Sequence, residues 1–284
     1  MLPKLAVSST IQSSWLSDLD VVAMTNPDDF ELNTGPSDWR DEQKIALRRL
    51  LDNPVYAGDF LHTTGLSALD ATTLVENLPV LNGTYVPANG AVYPSGSYGD
   101  ALKLVARLVR GEVGLQAATI DLGGWDTHNG QGAAGSGTYF HDKLTELGSG
   151  LLALYTDLDS APPENYTSRL TVVVMSEFGR RLRENADSGT DHGHGNLVIA
   201  MGKGIKGGLY GQWPGLATDQ LYDQADLAIT TDYRQVLSEI LVQRLANPNV
   251  AQVFPGFTYP GHLGFATLFH DGFATGDTRN WPDG

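Results

Sequence analysis

LQAATIDL (115–122), TYFHDKLTELGSGLLALYTDLD (138–159) and RLTVVVMS (169–176) follow one another along the chain, and their alternation decides the fold class. The first and third are short apolar runs, and β-branched side chains pack well on a pleated surface. The unbroken Val172-Val173-Val174 run is typical of a buried parallel strand, which hides both faces. Between them, Phe140, Leu144, Leu147, Leu151 and Leu154 recur at intervals of three and four and mark a helix. Strand–helix–strand alternation predicts an α/β domain with three αβα layers and a mostly parallel sheet. The ligand crevice of such a sheet lies beyond the carboxyl ends of its strands.

Outward from this stretch, NLVIAMG (196–202) reads as a further strand, and KGIKGGLYGQWPG (203–215) as a glycine loop. The segment 226–246 holds a helix that Thr231 or Asp232 caps. On the other side, 97–110 begins a clearly amphipathic helix with Leu102, Val105, Leu108 and Val109 on one face. Residues 80–97 are rich in Gly, Pro, Asn and Ser and read as a loop. Two earlier helices are predicted over 40–52, with Ile45, Leu47, Leu50 and Leu51 as its apolar side, and over 56–78, ended by Pro79. Residues 1–40 read as irregular apart from a strand-like run at 20–24, and the tail from Pro248 is turn-rich.

Three polar motifs border the apolar runs: GGWDTHNGQ (123–131), SEFGRR (176–181) and TDHGHGN (190–196). Imidazoles and carboxylates on glycine-shaped loops at strand ends are what a hydrolytic metal site needs. Asp126 and His128 are two apart, so an extended loop turns both to one side; the plain alternative is an Asx-turn at Asp126. His192 and His194 repeat that spacing between glycines, with little apolar surface to pack against. Asp191 is either a third ligand or the acceptor that orients a ligating imidazole. Glu177 directly follows the apolar run, where a carboxylate needs a partner, either an ion or Arg180 or Arg181. Those arginines either clamp a tetrahedral oxyanion or form a solvated helix start. His62, His141, His262 and His270 stand singly and read as surface or structural.

The bulk numbers narrow the partners. A net charge of −15 argues against nucleic acid and against anionic membranes. With no cysteine there is neither a disulfide nor a thiolate ligand. No apolar stretch approaches the roughly 20 residues of a membrane span, and MLPKLAVSSTIQSSW carries no export signal.

GGWDTHNGQ, VVVMSEFGRRLRENADSGTDHGHGN, KGGLYGQWPGL, AITTDYRQVLSEIL and VFPGF, in that order, resemble the bacterial family known as domain of unknown function 1501. The resemblance covers roughly residues 1–257, leaving 258–284 as a turn-rich tail. It implies export by the twin-arginine route, hence a periplasmic or secreted protein, and kinship with the alkaline phosphatase and sulfatase superfamily. Metal binding is then expected at Asp126, His128, Glu177, Asp191, His192 and His194, with a divalent ion, zinc first, and catalytic roles at Arg180 and Arg181. The substrate class is a small anionic ester or glycan.

One departure from that superfamily is Phe178, which stands where an imidazole ligand follows the strand, against a standard two-zinc site. The other is the front. The family's first strand with its Gly-Gly-Ala-Asp-Gly-like loop, and its nucleophile segment, have no counterpart here. The expectation is therefore an alkaline-phosphatase-like or sulfatase-like domain, N-terminally truncated to its C-terminal two-thirds, binding metal without robust turnover. The rivals are a non-catalytic exported protein that keeps the fold for binding or assembly, and a calcium-stabilised surface protein.

Overall fold

The structure is a computed structural model describing residues 2–267 apart from Ser17, Leu19, Asn33, Thr34, Val80 and Asn82. His270 and residues 268–284 of the expected tail lie outside the described residues. In chain order the elements are β1 (Lys4–Ala6), β2 (Val21–Ala23), α1 (Arg40–Leu51), α2 (Phe60–Asn77), α3 (Ser97–Arg110), β3 (Ala117–Thr119), α4 (Tyr139–Leu158), α5 (Tyr166–Arg169), β4 (Val172–Val174), β5 (Gly179–Arg180), β6 (His192–Gly193), β7 (Ile199–Met201), α6 (Tyr233–Gln243) and α7 (Val250–Val253). The protein is mixed α/β, and two compact units divide it: Met1–Leu122 with Glu146–Leu158, and Gly123–Thr145 with Asp159–Gly284.

The first unit contains a parallel three-stranded sheet in the order β2-β1-β3, with Leu5 opposite both Val22 and Ala118. Its central strand lies in a stretch that reads as irregular in sequence. Three residues are too few to display alternation, yet Leu2, Leu5 and Ala6 are buried. Leu2 and Leu5 join Val75 of α2, Leu104, Val105 and Leu108 of α3, and Leu81 in one apolar core. The expected face of α3 is therefore the buried one. Helix α1 differs: Ile45 and Leu50, expected on its apolar side, are 52% and 59% exposed. Ion pairs Lys44–Glu76 and Arg48–Asp70 link it to α2.

The buried positions of α4 are Gly150, Ala153, Leu154, Asp157 and Leu158, so the stripe differs from the leucine spacing, and Leu144 is exposed. A carboxylate belongs to it because Asp157, 0% exposed, accepts from the hydroxyls of Tyr85 (2.8 Å) and Tyr93 (2.7 Å) and from the backbone N–H of Ala88 (2.8 Å). Burial, then the hydrogen bond to Asp157, pushes both tyrosine pKa values well up. Gly150 lets α4 approach α3, since a Cβ there would lie 2.4 Å from the Tyr98 ring and 2.7 Å from Leu102.

In the second unit, β4 pairs antiparallel with β7, Val173 opposite Ala200. The expected parallel strand is thus antiparallel and only partly buried. A run of valines fits either direction, and strand direction follows from the connection rather than from side chains. Val173 and Ala200 pack toward Ile240 of α6, Phe265 and Ala266. Helix α6 begins as expected at the Asp232 cap, whose carboxylate accepts from the Arg234 N–H at 2.8 Å. Glu239 on α6 is fully buried and accepts from the backbone N–H groups of Leu263, Gly264 and Ala266, which pins the 263–266 segment.

Candidate metal centre

The three motifs of the sequence meet within the second unit. The short β5–β6 ladder places Gly179 opposite Gly193 and Arg180 opposite His192. Glycine is required at this approach: a Cβ on Gly179 would fall 1.9 Å from the Gly195 carbonyl oxygen. The 123–131 loop lies along the 185–190 loop through Gly130 N–H to Asp187 O (3.0 Å), Gln131 N–H to Ser188 O (2.9 Å) and Thr190 N–H to Thr127 O (3.1 Å). Gly189 permits that contact, because a Cβ there would meet the His128 carbonyl at 2.3 Å.

On this frame Asp126, His128 and His192 each offer one donor atom, all within 4.8 Å of one another, and all three residues are exposed. Asp126 Oδ1 lies 2.7 Å from His192 Nε2 and 3.0 Å from His128 Nε2. On its other side His128 Nδ1 lies 2.9 Å from Asp191 Oδ1. Both ring nitrogens of His128 therefore face carboxylate oxygens. A neutral imidazole donates from one nitrogen only and an imidazolium from both, so the two contacts are met either by a second proton or by a cation shared with Asp126. Both carboxyls are held below the ordinary carboxylate range: Asp126 by His192 first, Asp191 by His128 and then Asn185.

The guanidinium of Arg180 sits behind Asp126. Its Nη1 donates to Thr190 O at 2.6 Å, and its Nη2 donates to Trp125 O at 2.6 Å and reaches Thr127 Oγ1 at 3.2 Å and Asp126 Oδ1 at 3.3 Å. This fork holds the strand of chain that carries Asp126, and most of its donors point into the protein. Phe178 stacks on His192 with centroids 3.9 Å apart, and the Arg180 guanidinium lies over the Phe178 ring at 5.1 Å.

Glu177, His194 and Arg181 are not among the three grouped donors. His194 stacks on Tyr222 at 3.9 Å. Arg181 pairs with Asp226 at 3.4 Å. Glu177 is exposed: the strand ends at Val174, Met175 and Ser176 are already exposed, and the burial that called for a partner is missing. Asn185 carries no ligand signature in the sequence, yet it bonds Asp191 and the His128 carbonyl. Its only signal is the turn-forming NADSG stretch. Of the single histidines, His62 bonds the Leu51 carbonyl and His262 bonds Tyr259 and Gln243, which are structural contacts.

Fold and donor set define a mixed α/β protein with an open three-donor cluster. A family model described as "Protein of unknown function (DUF1501)" matches residues 82–245, more than half of the chain and all three donors, and the chain belongs to that family. No curated protein and no solved structure matches it.

Proposed function

We propose that the protein is a metal-dependent hydrolase domain of the sulfatase and phosphatase kind, with one divalent ion held by Asp126, His128 and His192. The observation that carries this reading is the position of His128 between two carboxylates, where one ion can take the Nε2 lone pair while Nδ1–H donates to Asp191. The donors fit one. Tetrahedral zinc with bonds of about 2.0–2.1 Å needs donors roughly 3.3 Å apart, a few tenths of an ångström beyond the 2.7 and 3.0 Å separations around Asp126 Oδ1. Two imidazoles and a carboxylate favour zinc over magnesium or calcium.

Bound there, the ion supplies Lewis acidity toward an ester oxygen. The chain's own groups do the rest. Asp191 holds the His128 ring so that Nε2 faces Asp126 and His192. Arg180 holds the Trp125 carbonyl and the Thr127 hydroxyl on either side of Asp126. Phe178 covers one face of His192 and keeps water from that side. The exposed side is open to a small anionic ester or glycan, with the half-exposed Arg181 as its cation. The reading includes the three-layer alkaline-phosphatase-like architecture, to which the parallel sheet of the first unit is a partial support, and the periplasmic or secreted location that the family resemblance implies.

The test is metal content after mild purification, followed by hydrolysis of nitrophenyl phosphate and sulfate. One zinc per chain with ester hydrolysis lost in Asp126→Ala supports the reading. Hydrolysis that persists in that variant, or in metal-stripped protein, contradicts it. One observation favours a second reading, binding without turnover: the Arg180 fork is turned toward Thr190 and Trp125 rather than outward. Zinc binding with no hydrolysis of either ester selects it.

A further inference from the structure

We propose that Asn185 is a positioning residue of the metal centre, acting on His128 through Asp191; the inference rests on the metal-binding reading above. Its amide does two separate jobs. The carbonyl Oδ1 accepts from the backbone N–H of Asp187 at 2.9 Å and of Gly189 at 3.1 Å, which folds the 185–189 turn. The Nδ2 donates to the His128 carbonyl at 2.8 Å and to Asp191 Oδ1 at 3.1 Å. Two N–H groups at one end and two acceptors at the other leave one sensible orientation for the amide.

Asp191 Oδ1 is the atom that meets His128 Nδ1. Asn185 thus grips the backbone and the ring partner of the same histidine. A carboxylate that accepts from a ligating imidazole fixes its tautomer and its ring plane. With Nδ1–H committed to Asp191, the Nε2 lone pair is presented toward Asp126 and His192. Ser188 supports the turn from the far side. Its φ of +58° is a left-handed conformation that costs a non-glycine residue energy. The two Asn185 bonds at Asp187 and Gly189 help to keep it there.

Two substitutions separate the jobs. Asn185→Asp keeps an oxygen for the Asp187 and Gly189 N–H groups but loses the donor and sets a like charge beside Asp191. Asn185→Ala loses both. Zinc titration of the full chain by calorimetry at neutral pH is expected to show affinity roughly ten- to hundredfold weaker in both variants, with the folded state of each variant verified by apo thermal unfolding. An added negative charge by itself strengthens cation binding, so weaker binding in Asn185→Asp cannot be a general charge effect. Unchanged or tighter zinc binding in Asn185→Asp would overturn the proposal and leave Asn185 as a turn residue. A long-range proton–nitrogen spectrum of the zinc-loaded parent is expected to show His128 protonated at Nδ1 and bound through Nε2; the reverse tautomer also overturns it. If the parent binds no zinc, the failure is that of the metal-binding reading.

Discussion

At the scale of single residues, spacing in the sequence proposes ligands and the chain path selects among them. Asp126, His128 and His192 converge, while His194, two positions further on, is drawn off to the Tyr222 ring. The account therefore expects zinc affinity to fall at least tenfold in His192→Ala and to change less than twofold in His194→Ala, read by calorimetric titration. Equal losses would mean that both imidazoles ligate. Arg180 makes a second case. Its forked contacts to Thr190 O, Trp125 O and Asp126 need a planar guanidinium, which an ammonium cannot imitate. Arg180→Lys should destabilise the protein by about 1.5–3 kcal/mol in urea unfolding, since charge-assisted bonds to carbonyls are lost. A cost below about 0.5 kcal/mol, the ordinary range for surface substitutions, would show that the fork does not hold the loop.

At the scale of elements, the helices were largely legible and the strands less so. The apolar face is legible for α3, Pro79 bounds α2, and Thr231 or Asp232 marks the start of α6, where Asp232 is the cap. Strand β1 is hidden because three residues carry no period, and Val-Val-Val does not encode the direction of β4, which suits a parallel or an antiparallel neighbour alike. Burial along α4 depended on Tyr85 and Tyr93 satisfying Asp157, which lies far away in sequence. Two tests belong here. Gly150→Ala raises helix propensity, yet its methyl would meet Tyr98 and Leu102, so a net loss of about 1–3 kcal/mol is expected; a gain in melting temperature would show that α3 and α4 are not in close contact. Asp232→Ala should cost about 1 kcal/mol through the lost cap. The Asp232 carboxyl is held below its ordinary value by Arg234, so the capping contribution is complete above the unfolded value of about 3.9 and fades as pH falls through the depressed one. The difference between parent and variant should accordingly shrink in acid; a constant difference would remove Asp232 ionisation from the cap.

At the scale of the whole molecule, the candidate site was legible as three motifs, and its geometry was not. Sequence shows that Asp126, Glu177 and His192 follow or border strands, but only the Gly179–Gly193 ladder and the Gly189 contact determine which of them meet. The buttress of the site, Asn185, was invisible because its role depends on a partner 57 residues away. A metal that ties the 126–128 loop to the 192 hairpin binds the folded state alone. It should raise stability by about 2.7 kcal/mol at a hundredfold excess over its dissociation constant. Added protection in hydrogen exchange should be confined to residues 126–131 and 179–193.

The central claim, one cation shared by Asp126, His128 and His192, is tested most directly by X-ray absorption at the zinc edge on the loaded full chain, with metal stoichiometry measured on the same sample. The account predicts one zinc per chain, coordinated by two imidazole nitrogens and light oxygen donors, with the imidazole signal reduced to one in His192→Ala. No stoichiometric zinc, or a shell of oxygen donors without imidazole, would contradict it.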